Sequence, residues 1–386
     1  MGLTSRQKLK SLVKLCVGAT VMYSGISLAK GDEHFYKDYL MPLVHLLDPE
    51  QAHKLAVFTS KHRLLPKSQF TDPEILKISF FGKEFSNPIG IAAGFDKDGS
   101  AIIGLRDMGF GFVEIGSVTP LPQPGNEKPR VFRLPEDMAI INRYGFNSEG
   151  HATVLERVQK ARNNPDVPII GVNLGKNKTS EDAVKDYVEG IKIFGEVSDY
   201  LVVNVSSPNT PNLRALQNKE NLRQLLQAVV AAKNSLQVQP KPPLFLKLAP
   251  DLSFEEKKDI AEIIKRKDCQ VDGLIVCNTT IERPSLKSIH KNESGGLSGA
   301  PLKDTSTQMI KEMSKLTNGA FIIGVGGVST GKDAYEKIRA GASLVQIYSA
   351  LIYGGPPLVA KIKKELAELV EKDGFKSVGE AVGIDV

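Results

Sequence analysis

The chain has 386 residues, 41% of them hydrophobic and 24% charged, with a net charge of +6, which is length enough for one large domain and an appendage. Five of those six charges sit in residues 1–31, as Arg6, Lys8, Lys10, Lys14 and Lys30 with no acid among them; the nearly neutral remainder excludes the basic stripe of a nucleic-acid binder. Cys16, Cys269 and Cys277 are too few and too scattered for a disulfide framework or a cysteine zinc site, and they point to a reducing compartment.

The first element is apolar. Residues 15–29 carry no charge, and a helix of that length spans about 22 Å against ~30 Å for a bilayer core. Ser11 to Val13, with Lys14 snorkelling, bring it close to spanning length. The acid-free lead also fits a mitochondrial import signal. A secretory signal is the alternative, and the lack of a disulfide pattern argues against it. Residues 1–31 are therefore expected to target the chain to mitochondria and anchor it in a membrane in a single pass.

Residues 32–67 read as two amphipathic helices. Phe35, Tyr39, Leu43 and Leu46 recur at helical spacing over 34–47. Asp48-Pro49 starts a second helix with proline at its first position, carrying Leu55, Ala56 and Phe58 and ending near Pro66. Two helices cannot build a core alone, so their apolar faces need the body, each other or a membrane. Their place just after the anchor favours the bilayer interface; a plain hairpin packed on the body is the alternative.

Residues 68–386 hold eight strand-like runs, at 89–93, 112–115, 169–173, 201–205, 244–248, 273–276, 321–325 and 344–347, with helical patterns between them. That alternation predicts an α/β fold, a (β/α)8 TIM barrel rather than a doubly wound sheet. Ser253 and Glu256 form a capping box after the fifth run. Two insertions stand out: residues 119–130 with four prolines, leading to a hairpin at 131–134 and 139–142, and a Gly/Ser-rich excursion at 280–303.

Chemistry in such barrels gathers at the carboxyl ends of the strands. There the chain delivers Ala92-Ala93-Gly94-Phe95-Asp96-Lys97, Gly116-Ser117, Asn173, Asn204-Val205-Ser206-Ser207-Pro208-Asn209-Thr210, Lys247, and Asn278-Thr279. Converging amides can clamp a planar imide ring, because each offers donors and an acceptor. Lysines can neutralise a carboxylate or an anionic ring. Gly324-Val325-Gly326-Gly327-Val328-Ser329-Thr330 and Tyr348-Ser349 end the last two strands, where barrels bind phosphate through backbone N–H groups and a helix N-terminus. Asp333 stands where a P-loop needs Ser or Thr, and the third glycine of a dinucleotide fingerprint is missing. A single phosphate therefore fits better than ATP or NAD.

Lys247 admits a rival reading as a Schiff-base nucleophile, which leaves the flat-ligand clamp without a role. No His-x-His or carboxylate cluster suggests a metal. His34, His45, His53, His62, His151 and His290 all avoid the strand ends, which leaves a hydroxyl as the central base.

The set Gly90-Ile91-Ala92-Ala93-Gly94-Phe95-Asp96-Lys97, Asn142-Arg143-Tyr144-Gly145-Phe146-Asn147, the Asn204 to Thr210 run and Gly324-Val325-Gly326-Gly327-Val328 closely resembles dihydroorotate dehydrogenase of the membrane-associated, quinone-linked class, mitochondrial type. The likeness covers essentially the whole chain, and Ser207, where the soluble class carries cysteine, points to the membrane class. It implies oxidation of (S)-dihydroorotate to orotate with FMN, electrons passing to ubiquinone, in de novo pyrimidine (UMP) synthesis, by a monomer on inner-membrane lipid. It implies an FMN site of Ala92, Ala93, Gly94, Ser117, Asn173, Asn204, Lys247, Cys277, Gly299, Gly327, Tyr348 and Ser349. Cys277 and Ser349 stand where threonine is usual. Substrate would meet Lys97, Asn142, Arg143, Tyr144, Gly145, Phe146, Asn147, Asn204, Asn209, Asn278 and Thr279. Ser207 would be the base, Thr210 its relay and Lys97 the enolate stabiliser. The helical pair would form the quinone entrance, with His53, Arg133 and Tyr348 at its inner end. Two other readings stay open: an FMN barrel for a different cyclic imide or 2-hydroxy acid, and a silent, membrane-tethered binding barrel.

Overall fold

A computed structural model describes residues 4–386. Helix α1 (Ser5–Lys30) begins with a Thr4/Gln7 capping box and ends at Gly31, whose φ of +64° closes it in the left-handed region, where a missing Cβ avoids strain. Its 26 residues make it about 39 Å long. It exceeds the charge-free run because the basic turns before that run continue the same helix. Of this helix only Ser27 is buried.

The helix expected over 34–47 is interrupted. It consists of α2 (Glu33–Phe35), a π-turn over Tyr36–Leu40 and α3 (Met41–Val44). Pro42 has no N–H for the Asp38 carbonyl and its ring crowds that oxygen, so the turn widens. Helix α4 (Pro49–Lys61) starts under an Asp48 cap as expected, and ends well short of Pro66. Leu43, Leu46, Leu55 and Phe58 of this pair are exposed.

Strands β1 (Ile78–Phe80) and β2 (Lys83–Phe85) form a hairpin that the sequence reading missed. Phe80 and Phe81 pack edge-on to Phe321 and cover the amino end of the barrel. The barrel begins with β3 (Ile89–Ile91) and β4 (Phe112–Val118). The expected hairpin, β5 (Val131–Leu134) and β6 (Ala139–Asn142), rises from the next loop. The barrel resumes with β7 (Ile169–Leu174), β8 (Tyr200–Asn204), β9 (Leu244–Leu248) and β10 (Gly273–Val276). After β11 (Gly296–Gly299), β12 (Phe321–Val325) and β13 (Leu344–Ile347) complete it. All eight barrel strands pair in parallel, and β10-β12-β13-β3-β4-β7-β8-β9 closes on itself. Around it run α5 (Ile102–Asp107), α6 (Gly150–Arg162), α7 (Ala183–Phe194), α8 (Lys219–Ser235), α9 (Phe254–Ile264), α10 (Lys303–Thr317) and α11 (Gly331–Arg339). The short α12 (Leu351–Gly354) and then α13 (Leu358–Lys372) complete the ring.

Every predicted strand is present, and four have different bounds. β3 stops before Ala92, where the chain turns into the barrel mouth; β4 continues through a register shift at Gly116; β7 runs one residue further; and β8 lies one residue earlier. The excursion at 280–303 supplies β11, which extends the hairpin into a three-stranded sheet, β11-β6-β5. Phe132, Leu134, Ile141, Leu286 and Leu297 give that sheet its own small core.

Two contacts seat α4 on the barrel. The Glu50 carboxylate accepts from Arg130 Nε at 3.1 Å and Nη2 at 3.0 Å, with both side chains largely buried. On α5, a Cβ at Gly104 would lie 1.8 Å from the Ser60 carbonyl oxygen, so only glycine permits the approach. Arg130→Ala leaves the buried Glu50 carboxylate with the exposed Lys128 ammonium, 3.3 Å away, in place of its bidentate partner, at a cost of about 1–3 kcal/mol. The expected outcome is a lower thermal midpoint with faster proteolysis inside the helical pair. An unchanged midpoint and cleavage rate would mean that apolar contact alone holds the pair.

Candidate active site

One cavity of about 510 Å³ runs from the helical pair into the barrel mouth. Met41, Val44, His45, Ala52, His53 and Ala56 line its outer part, and Lys97, Asn204, Ser207 and Lys247 its inner part.

Its floor is a polar network centred on Glu114, a residue that the sequence reading missed although it interrupts an apolar strand. Glu114 is 0% exposed. One oxygen accepts from Asn173 Nδ2 at 2.9 Å and faces Lys247 Nζ at 3.7 Å. The other accepts from Gln346 Nε2 at 2.6 Å and from the Tyr200 hydroxyl at 3.2 Å. Lys247 is thus held by a carboxylate as a fixed cation, which removes the basis for the Schiff-base alternative.

Asn173 sits in this buried layer, below the cavity it was expected to line. Its Oδ1 accepts from Ser117 Oγ and from Asn204 Nδ2, the latter at 3.1 Å. Asn204 Nδ2 also donates to Ser117 Oγ at 2.8 Å. Asn278 Nδ2 reaches Ser206 Oγ at 3.0 Å. The amides therefore brace one another, and Asn204 and Asn278 rather than all of them present edges to the cavity.

Ser207 lines the cavity, and its Oγ accepts the Asn209 backbone N–H at 3.3 Å. Thr210 lies behind the lining; its buried Oγ1 has no partner. Lys97 Nζ donates to the Gly94 carbonyl at 3.0 Å and stands 3.6 Å over the Tyr144 ring. Burial is the main cause that lowers its pKa to about 7.

The Asn142 to Asn147 segment divides. Asn142, Tyr144, Gly145, Phe146 and Asn147 line the cavity, and Asn147 Oδ1 is buried without a partner. Asn209, also at the lining, donates through Nδ2 to the Asn142 carbonyl at 3.1 Å. Arg143 does not join them. It turns outward to Glu293 at 2.7 Å and stacks 4.6 Å over Phe132, because side chains alternate in direction past the end of β6. Thr279 and Cys277 both line the cavity, and the Cys277 thiol faces the Val325 carbonyl at 3.9 Å. Burial pushes the Cys277 pKa up to about 11, so the departure from threonine places a neutral thiol at the lining.

The corner where a phosphate cradle was expected is arranged differently from the sequence reading. The N-terminus of α11 is already occupied. Thr330 caps the Asp333 N–H, the Asp333 carboxylate takes the N–H groups of Ser329 and Thr330, and Glu365 takes that of Gly331. Among the described residues, the N–H groups of Gly327, Val328, Ser349 and Ala350 have no partner, and these residues line the cavity. Gly327 has φ of +69°, and a Cβ there would lie 2.6 Å from the Lys303 backbone. Gly299, with φ of +103°, lines the same corner, and Ser349 Oγ donates to Ser298 Oγ at 2.8 Å. Ala92, Ala93 and Gly94 form the facing wall beside Tyr348, whose hydroxyl donates to the Gly94 carbonyl at 3.2 Å.

At the outer end His53 bridges helix and barrel. Burial lowers its pKa to about 3, so the imidazole is neutral. Nε2–H then donates to the Phe95 carbonyl at 2.7 Å, and Nδ1 accepts from the Tyr144 hydroxyl at 3.1 Å. Arg133 donates to the carbonyls of His45 and Leu47, each at 2.5 Å. His45, absent from the sequence-based set, contacts the Ile352 carbonyl at 2.8 Å and the edge of Tyr353.

The family profile described as Dihydroorotate dehydrogenase matches residues 75–370. A Mus musculus protein named Dihydroorotate dehydrogenase (quinone), mitochondrial, is 53% identical over 377 residues, covering 95% of each chain. The protein of that name from Oryza sativa subsp. japonica is 52% identical, with 89% of this chain and 79% of its own covered. A crystal structure of DHODH from Eimeria tenella in complex with ferulenol superposes with a TM-score of 0.84 at 44% identity, over 88% of this chain and 96% of that one.

Proposed function

The chain belongs to the dihydroorotate dehydrogenase family, and on that premise we propose that it oxidises (S)-dihydroorotate to orotate and passes the electrons to ubiquinone, as a step of pyrimidine biosynthesis. The observation that carries this reading is the single cavity joining Lys97 and Ser207 in the barrel to His53 and Arg133 at the helical pair. A reaction with one water-soluble and one lipid-soluble partner needs such a two-ended space.

The cofactor is FMN. The unpartnered N–H groups of Gly327, Val328, Ser349 and Ala350 suit its phosphate, and the small side chains of Ala92, Ala93 and Gly94 admit a flat ring. Ser117, Asn204 and Lys247 hold the ring; Gly299 and Tyr348 border it. Asn173 acts from below, and Cys277 contributes backbone rather than a hydroxyl. When bound, FMN supplies the two-electron acceptor and the onward transfer to quinone.

The chain's own residues do the rest. Lys97 receives the substrate carboxylate, while Asn142, Asn147, Asn204, Asn209, Asn278 and Thr279 hold the ring amides. Tyr144, Gly145 and Phe146 close the wall around it. Arg143 braces the excursion loop instead. Ser207 Oγ takes the proton from the carbon beside the ring carbonyl, and its own proton leaves through Thr210, whose buried hydroxyl has no partner in the protein, or through an ordered water. The Asn209 N–H steadies the oxygen as charge develops, and Lys97 stabilises the enolate.

The chain is a mitochondrial membrane protein in this reading. Residues 1–31 cross the inner membrane once, and residues 32–67 lie on its surface as the quinone entrance. His53, Arg133 and Tyr348 meet the quinone, and residues 68–386 carry the barrel. The spanning-length apolar helix and the exposed Leu43, Leu46 and Phe58 support contact with lipid. The protein acts as a monomer in this reading.

Ser207→Ala is expected to slow substrate-driven bleaching of the flavin by about 10²–10⁴-fold while FMN remains bound. Bleaching at the normal rate would reject Ser207 as base. Orotate binding should weaken as pH rises through about 7, where free Lys97 loses its proton, by roughly tenfold per unit until the pKa of the complex is passed. Affinity measured by flavin fluorescence that stays flat from pH 6 to 9 would remove Lys97 from the carboxylate site. Deleting residues 1–30 should release an active protein from mitochondrial membranes into the soluble fraction. Continued sedimentation with the membranes would show that the helical pair alone suffices for anchoring.

A further inference from the structure

Three lysines of the barrel are almost wholly buried: Lys247, Lys337 and Lys363. Two have carboxylates, Lys247 with Glu114 at 3.7 Å and Lys363 with Asp72 at 2.6 Å. Lys337, on α11, has none. Its three donor hydrogens go to neutral oxygens: the Lys303 carbonyl at 3.2 Å, Ser306 Oγ at 3.0 Å and Thr307 Oγ1 at 2.9 Å. A buried cation without an anion is costly to desolvate, so its counter-charge has to come from elsewhere.

The position of those three acceptors indicates where. All belong to the first turn of α10, which forms the back wall of the glycine cradle. A Cβ on Gly327 would lie 2.6 Å from Lys303 Cα, and one on Gly326 would lie 3.0 Å from Ser306 Cβ. A Cβ on Gly324 would meet Lys337 Cβ itself at 3.5 Å. Ser306 Oγ, held by Lys337, donates in turn to the Val325 carbonyl at the start of the loop. One layer of backbone thus separates the ammonium from the unpartnered N–H groups on the cavity side.

We propose that Lys337 is the buried counter-charge for the phosphate of the bound flavin mononucleotide, a positioning residue that fixes the cradle's rear wall and lends it positive potential without touching the ligand. The inference rests on the FMN reading above. The surrounding groups agree with it. Asp333 is committed to capping α11 and to Lys303, Asp304 lies beyond Lys303, and the Cys277 thiol is neutral. Without an anion, burial lowers the Lys337 pKa to about 8; a dianion in the cradle would raise it again, so loading should take up a proton.

The test compares FMN with riboflavin, which lacks the phosphate. Full-length wild-type protein and Lys337→Met are reconstituted with each flavin, and dissociation constants are read from flavin fluorescence. Wild type should bind FMN at least 100-fold more tightly than riboflavin. Lys337→Met should lose 10-fold or more of FMN affinity and leave riboflavin affinity unchanged. Equal losses for both flavins, or none, would overturn the inference. No preference in the wild type would instead defeat the phosphate reading itself, and the inference with it. A measurement without substitution covers the case in which the variant misfolds. Calorimetry of the wild type at pH 8 in buffers of different ionisation enthalpy should show FMN binding taking up about half a proton more than riboflavin binding. Equal uptake would overturn the proposal.

Discussion

The Glu50–Arg130 pair decides whether this molecule has one site or two surfaces. Without it, α4 is a short amphipathic helix with its charged face against a barrel mouth. With it, the bidentate contact between largely buried partners brings His53 within hydrogen-bond reach of both Phe95 and Tyr144, and the space between helices and barrel becomes continuous with the barrel interior. A bidentate Arg–carboxylate pair is geometrically demanding, and that demand fixes the angle at which the helical pair meets the barrel. Packing of Ser60 on Gly104 sets the distance. The two constraints together leave α4 little freedom, so the space between the helical pair and the barrel keeps one shape.

Beneath that passage the same logic operates at the barrel's centre. An apolar barrel interior would be easier to stabilise than one holding Glu114, Lys247, Asn173, Tyr200 and Gln346 in a single network. The network orients the residues above it. Asn173, locked by Glu114, holds Ser117 and Asn204 through its other edge. These two side chains therefore reach the cavity in one orientation.

The sequence conveyed the barrel because its information is local. Apolar runs with helical segments between them are read residue by residue, and each barrel strand was found within three residues of its ends. What it concealed depends on residues far apart in the chain. β11 has a Gly/Ser-rich sequence with little strand preference, and pairing with β6 alone makes it a strand. Glu114 looked like an interruption until Lys247, Gln346 and Tyr200 converged on it from three other strands. Arg143 sits inside a motif whose neighbours line the cavity, yet alternation of side chains sends it the other way. Backbone N–H groups after the last two strands were expected, but not that Asp333 and Glu365 occupy the helix end that a sequence motif would have offered to phosphate.

The lysines draw these threads together. A buried lysine costs so much to charge that its surroundings record its purpose. Where an acid is supplied by the fold, as for Lys247 with Glu114 or Lys363 with Asp72, the lysine's partner is a fixed part of the structure. Lys97 has only the Gly94 carbonyl and the face of Tyr144, partners that favour an ammonium ion without neutralising it. Such a site is poised: the fold provides enough stabilisation to keep the amine within reach of protonation near neutrality and leaves the remainder to an incoming anion. Charge that the protein declines to neutralise internally is then concentrated in the inner part of the cavity.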